Sequence, residues 1–216
     1  MYRLHNYYRS SASYRVRIAL NLKGLAYEYV PWHLTRNGGE TARPEFLALN
    51  PEGLVPVLET ADGQHLTQSL AIIEYLDALH PTPALLPGDP LERARVQALA
   101  QLIACEIHPI NNLRVLQYLT NRLGVSEADR NAWYRHWVET GLRAFEAQLR
   151  ASDATGRFCH GDTPTLADCC LVPQIFNAQR FGCDLGFATE TLRIHANCEA
   201  LEAFRTASPE RQPDAE

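Results

Sequence analysis

Short strand-like runs alternate with helical periods through the first eighty residues, and beyond that point the strand-like runs stop. "YRLH" reads as a strand, and a helical pattern follows with Val16, Ala19 and Leu20 on one face, ending at Gly24. "AYEYVPW" reads as a second strand. After a Gly-Gly loop and a short helical turn near Phe46, "LVPVLET" reads as a third. Asp62-Gly63 is a hairpin signal leading to "QHLTQ", and Ser69 is placed to cap a helix carrying Ile72, Ile73, Leu76 and Leu79. The order is β-α-β-α-β-β-α.

"HPTPALLPGDP", residues 80–90, holds four prolines and a glycine and is predicted to be a linker. Beyond it, long helical patterns run from about Leu91 to Leu123 and from Ser126 to Arg150, followed by "TPTLADCCLVPQIFNAQRF" and shorter helices. The expected organisation is an α/β domain over 1–81, a linker over 82–90 and an all-helical domain over 91–216. In "TPTLADC", Thr165 with Asp168 three residues on reads as a capping box that nucleates the central helix of the second domain.

Composition narrows the function. With 46% hydrophobic residues, the 216-residue chain can bury a sizeable core. The net charge is −5, and no block of like charge is long enough to bind a polyanion, so nucleic acid is not an expected partner. "MYRLHNYYRS" lacks the apolar stretch of a signal peptide and no apolar run approaches the ~20 residues of a membrane span, so a soluble cytoplasmic protein is expected. The six cysteines, all in the second half and without C-x-x-C spacing, read as reduced thiols acting as small buried hydrophobes. Cys105 and His108 stand at i, i+3 with no second pair to complete a zinc site, so no metal is expected.

Two polar stretches carry candidate chemistry. In "YYRSSASYRVRIAL", Ser10, Ser11 and Ser13 sit at the start of a helix, where one hydroxyl suffices as a cap and three exceed that need. Hydroxyl donors and the positive end of a helix dipole together stabilise an anion such as a thiolate. In "CEIHPINNLRVL", Pro109 interrupts a long helical pattern and bends it, with His108, Asn112 and Arg114 at the irregularity. Asn112, four residues after His108, is expected on the same helical face.

The domain order, with Pro56 in the third strand, resembles the glutathione transferases, a thioredoxin-like domain followed by a helical bundle. "RSSASYRVRIALNLKG" is similar to the zeta-class signature S-S-C-S-W-R-V-R-I-A-L, with Ala12 in place of Cys and Tyr14 in place of Trp. "FLALNPEGLVPVLE", "LTQSLAIIEYLD" and "IHPINNLRVLQYL" are similar to the same class, above all to its bacterial members.

The resemblance implies glutathione as cofactor. Ser10 is the first choice for the hydroxyl facing sulfur, with Ser11 next. Val55 and a cis Pro56 would pair with the glutathione backbone as an added strand, and its γ-glutamyl carboxylate would sit at Gln68-Ser69 at a helix start. His108 and Asn112 join the cofactor set. Arg9, Arg114 and Arg180 are the expected partners of a substrate with two carboxylates. Ala12 excludes a covalent role for a protein cysteine at that position. The implied reaction is cis–trans isomerisation of a maleyl dicarboxylate, maleylacetoacetate first and maleylpyruvate second, in a homodimer. A general conjugating transferase and a noncatalytic glutathione-binding module are the alternatives.

Overall fold

The computed structural model describes residues 1–216, which form two compact units: Met1–Leu86 with Glu199–Glu216, and Pro87–Cys198. In the first unit, strand β1 (Tyr2–Asn6) leads through helix α1 (Ser11–Leu22) to β2 (Tyr27–Pro31). Short helix α2 (Pro44–Leu47), the hairpin β3 (Val57–Glu59) and β4 (His65–Thr67), and α3 (Ser69–Leu79) complete the β-α-β-α-β-β-α order. The sheet order is β2-β1-β3-β4, with β1 and β2 parallel and the other pairs antiparallel. Leu4 stands opposite Leu58 in this sheet, and both are buried with Val16, Leu20, Ile72, Ile73 and Leu76. The hairpin turns at Gly63, whose φ of 81° suits a residue without a side chain.

The arginines of α1 are not solvated. Arg15 and Arg17 are buried, at 2% and 0% exposure, because α1 packs on α3 and also on α9 (Glu202–Ala207). The segment 199–216 therefore belongs to the first unit, whereas the sequence reading left it with the helical domain. Phe204 and Ala207 of α9 are buried, and the Arg17 Nε donates to Ala207 O at 3.0 Å.

The proline-rich stretch is also packed rather than a loose tether. Leu85 and Leu86 are buried, and the Lys23 ammonium donates to Asp77 Oδ1 (2.8 Å), His80 O (2.6 Å) and Pro83 O (2.9 Å). Asp77 also accepts the Leu85 N–H, so the unit closes at Leu86 rather than at residue 81.

In the second unit the long pattern expected over 91–123 is broken. Helix α4 (Pro90–Gln101) runs into a π-helical stretch over Leu102–Ile107 and a 3-10 turn over Pro109–Asn111 before α5 (Leu113–Asn121) begins. Pro109 has no N–H to donate and its ring excludes a regular turn, and the His108 N–H reaches back five residues to Ile103 O. Helix α6 (Glu127–Arg150) begins at the Ser126 cap. Its Gly141 lets Ile107 lie so close that a Cβ there would come within 2.3 Å of Ile107 Cγ1.

Helix α7 (Leu166–Arg180) is buried along most of its length and opens with the expected capping box: Asp168 Oδ2 accepts from the Thr165 N–H at 2.8 Å and from its hydroxyl at 2.9 Å. Glu146 of α6 caps α8 (Thr189–Glu199), accepting from the N–H groups of Glu190 and Thr191 and from the hydroxyls of Thr189 and Thr191. Burial acts to raise the Glu146 carboxyl, but these bonds hold it below its usual value. Cys159, Cys169, Cys170 and Cys198 are buried and Cys105 is exposed, none of them in a disulfide. No helix is long and apolar enough to cross a membrane.

Candidate active site

Two backbone features of the first unit, the segment before the serines and the Val55-Pro56 peptide, share one cluster of aromatic and apolar side chains, and a third, the start of α3, follows β4, the strand paired with β3. Tyr7 and Tyr8, just before the serines, pack with Val55, Val57 and Phe46. The Val55-Pro56 peptide is cis, and Val55 lies outside the β3 ladder, which begins at Val57. Gln68, the residue immediately before α3, has φ 66° and ψ 112°.

Ser10 is the N-cap of α1: its Oγ accepts the Ser13 N–H at 3.2 Å. The cap uses a lone pair and leaves the hydroxyl proton to donate elsewhere, so capping and thiol activation are compatible in one side chain. Ser10 is half-buried and Ser11 is 6% exposed. Ser13 differs from the expected donor cluster. The helical turn carries it inward to 0% exposure, and its Oγ has no hydrogen-bond partner.

Arg9 is exposed; its Nη2 donates to the Tyr7 hydroxyl at 3.2 Å, and its Cζ lies 5.2 Å from the Tyr8 ring centroid. Burial pushes the Tyr7 phenol up, and Arg9 opposes that shift.

At the start of α3 the cap is Gln68, not Ser69. Gln68 makes no side-chain cap bond, because its amide turns away to donate to both oxygens of Glu52 at 3.2 and 2.9 Å. Ser69 is instead the first helical residue, and its hydroxyl accepts from the buried Arg15 Nη1 at 3.3 Å. A helix start without a side-chain cap leaves its first N–H groups for an anion, and the buried guanidinium behind Ser69 adds positive charge there. A hydroxyl proton at one helix start and uncapped donors at another are what a ligand with a thiol and a remote carboxylate requires.

The second-unit candidates fall on the broken helix and on α7. Asn112 does not share a helical face with His108, because the 3-10 turn over Pro109–Asn111 lies between them. Its backbone is extended and its Oδ1 caps α5, accepting the Arg114 N–H at 3.2 Å. The neighbouring Asn111 is 7% exposed, and neither of its amide atoms has a partner. His108 is half-buried and Arg114 exposed. Arg180, the last residue of α7, is exposed, with its Cζ 4.9 Å from the Phe181 ring, which stacks on Tyr134 at 3.7 Å.

Sequence reasoning missed Arg15, Arg17 and Glu52. A signal for the arginines was present: Tyr14, Val16, Ile18, Ala19 and Leu20 place apolar side chains around the whole of α1, the mark of a helix covered on all sides. Nothing local marks Glu52, because only the fold brings it beside Gln68.

Residues 4–84 match the family profile of the glutathione S-transferase N-terminal domain, and residues 131–206 that of the C-terminal domain. A probable maleylacetoacetate isomerase of Vibrio cholerae is 53% identical over 213 residues, covering 98% of this chain and 97% of that protein. A holo structure of maleyl pyruvate isomerase, described as a bacterial glutathione S-transferase in Zeta class, superimposes with a TM-score of 0.95 at 50% identity, covering 99% of this chain and all of that one. The maleylacetoacetate isomerase of Anaeromyxobacter dehalogenans, with bound GSH in the active site, has a TM-score of 0.87 at 45% identity, covering all of this chain and 98% of that one. With two family profiles in chain order and similarity along almost its full length, the chain belongs to the glutathione S-transferase family, in its zeta class.

Proposed function

We propose that this protein is a glutathione-dependent cis–trans isomerase of a maleyl dicarboxylate, with maleylacetoacetate as the substrate and aromatic amino-acid breakdown as the setting. One observation carries it: Ser10 offers a hydroxyl proton at the start of α1 while the uncapped start of α3 offers anion-binding donors, in one unit and with the two helices joined by the Arg15–Ser69 hydrogen bond. Bound glutathione supplies a thiolate that adds to the conjugated alkene, so that rotation occurs about a single bond before the thiolate leaves the trans product.

The residues of the chain do the rest. Ser10, with Ser11 beside it, donates to sulfur and, with the α1 dipole, favours the thiolate over the thiol. Val55 and the cis Pro56 hold the peptide portion in an extended register. Gln68 and Ser69 hold the γ-glutamyl carboxylate, with Arg15 behind Ser69. His108 and Asn112 complete the cofactor set. Arg9, Arg114 and Arg180 take the substrate carboxylates, for which a guanidinium offers two parallel hydrogen bonds. The protein acts as a cytoplasmic homodimer, and a monomer by light scattering at micromolar concentration would contradict that assignment.

The deciding experiment follows the absorbance of maleylacetoacetate with and without glutathione. Loss of the cis substrate only when glutathione is present is the expected result. Binding of glutathione without isomerisation would leave a ligand-binding module, and faster turnover of maleylpyruvate would move the assignment to that substrate.

A further inference from the structure

The tail after α9 returns to the residues that precede the serines. Asp214 Oδ2 accepts the Tyr8 N–H at 3.2 Å, and its Oδ1 accepts the hydroxyl of Tyr29. From the opposite side, the buried Arg17 guanidinium donates to Tyr8 O at 2.8 Å, to Tyr7 O at 3.4 Å and to Asn6 Oδ1 at 3.0 Å. Tyr7 O in turn accepts the Ser10 N–H at 3.0 Å, and Ser10 O accepts the Tyr14 N–H to open α1. The four-residue turn from Tyr7 to Ser10 is thus held by one anion at an N–H and one cation at two carbonyls. Tyr7 and Tyr8 are buried, but Arg9 is exposed and Ser10 half-buried, and this open end of the turn would otherwise sample several backbone settings.

We propose that Asp214 and Arg17 are positioning residues for thiol activation, fixing the Tyr7–Ser10 turn so that Ser10 and Ser11 present their hydroxyls in one setting. The inference rests on the reading that one of these hydroxyls donates to the glutathione thiol. Neither Asp214 nor Arg17 touches sulfur or substrate in this role. A donor aimed in advance stabilises charge without a reorganisation cost at each turnover, whereas a mobile donor gives part of that gain back.

The electrostatics allow the two readings of Asp214 to be separated. A carboxylate near the turn opposes a thiolate by its charge and favours it only by holding the donor in place. Asp214→Asn keeps an acceptor for the Tyr8 N–H and removes the charge. Asp214→Ala removes both. Asp214 is half-buried on the tail, so both variants leave the cores intact.

Two readouts test the proposal. In the glutathione-free protein, amide exchange at Tyr8 and Ser10 should accelerate by about tenfold in Asp214→Ala and little in Asp214→Asn. In the glutathione complex, titration of the thiolate absorbance should show the thiol pKa raised by about half a unit to one unit in Asp214→Ala, and unchanged or lower in Asp214→Asn. Turnover should fall about three- to tenfold in Asp214→Ala while glutathione affinity stays within about twofold. In a Ser10→Ala background, Asp214→Ala should add little, because it acts through that hydroxyl. A thiol pKa unmoved by Asp214→Ala but raised by Ser10→Ala or Ser11→Ala would overturn the positioning role and leave the thiol role standing. A thiol pKa unmoved by both serine variants would overturn the thiol role, and the positioning role with it.

Discussion

The starts of α1 and α7 use the same device for different ends. At α7, Thr165 and Asp168 are 4% and 0% exposed, and the carboxylate accepts from Cys159 N–H, Thr165 N–H and the Thr165 hydroxyl. At α1 the Ser10 cap is half-buried and spends one lone pair on the Ser13 N–H. A polar cap sealed in the core, with its hydrogen bonds used internally, serves only the fold. A cap with its proton left over and open to solvent is free to act on a ligand.

The largest expected effect breaks the sealed cap. Asp168→Ala leaves buried donors without an acceptor, and we expect a loss of about 3 to 5 kcal/mol in urea unfolding, enough to prevent accumulation of folded protein. A loss under about 1 kcal/mol would mean that water or a rearranged side chain replaces the carboxylate, and that the two caps differ less than their burial says.

Next come the arginines at the outer ends of the same two helices, Arg9 before α1 and Arg180 at the end of α7. Arg9→Ala and Arg180→Ala should each cut isomerisation of a maleyl dicarboxylate by roughly ten- to 150-fold, from ~1.5 to 3 kcal/mol per charged hydrogen-bonded contact. Conjugation of a neutral aromatic electrophile should fall much less. Equal losses on both substrates would assign the arginines to the fold or to glutathione.

Breaking the open cap should cost less. Ser10→Ala removes a cap contributing about 1 kcal/mol to stability and, through the lost donor, should raise the bound thiol pKa by about one unit. Thermal unfolding and thiolate titration read the two effects separately. Lowered stability with an unmoved thiol pKa in Ser10→Ala and in Ser11→Ala would make the α1 start a scaffold cap like that of α7.

The smallest effect concerns both units. Burial is the first cause that pushes the imidazoles of His5, His33 and His195 below their ordinary value. The unfolded chain then binds more protons than the native one just below pH ~6.5, so stability rises with pH through that window and is lost as pH falls below it. The urea midpoint should drop modestly between pH 7.5 and pH 5.5. A higher midpoint at pH 5.5 would show these histidines gaining partners on protonation.

Much of the first unit, and the start of α7 in the second, was legible because the information is local. Apolar periodicity gave α1 and α3, Asp62-Gly63 gave the hairpin, and Thr165 with Asp168 gave the sealed cap. Ser69 as a cap was misread because a left-handed Gln68 is not a preference of that residue; the surrounding fold imposes it. His108 and Asn112 were expected on one helical face because Pro109 marks a bend but does not say that a 3-10 turn over Pro109–Asn111 will separate them.

By itself the sequence determined the order of elements in the first unit, the starts of α1, α6 and α7 and the hydroxyl-bearing segment, each encoded within a few residues by periodicity, capping or turn chemistry. Only the tertiary structure decided which charges are buried and what they hold. Arg17 lies between α1, the Tyr7–Tyr8 carbonyls and Ala207, 190 residues away along the chain. Asp214 reaches Tyr8 across a separation of 206 residues. A hydrogen bond between groups that far apart exists only once the sheet and α9 have brought them together, and no local pattern in either segment specifies the other.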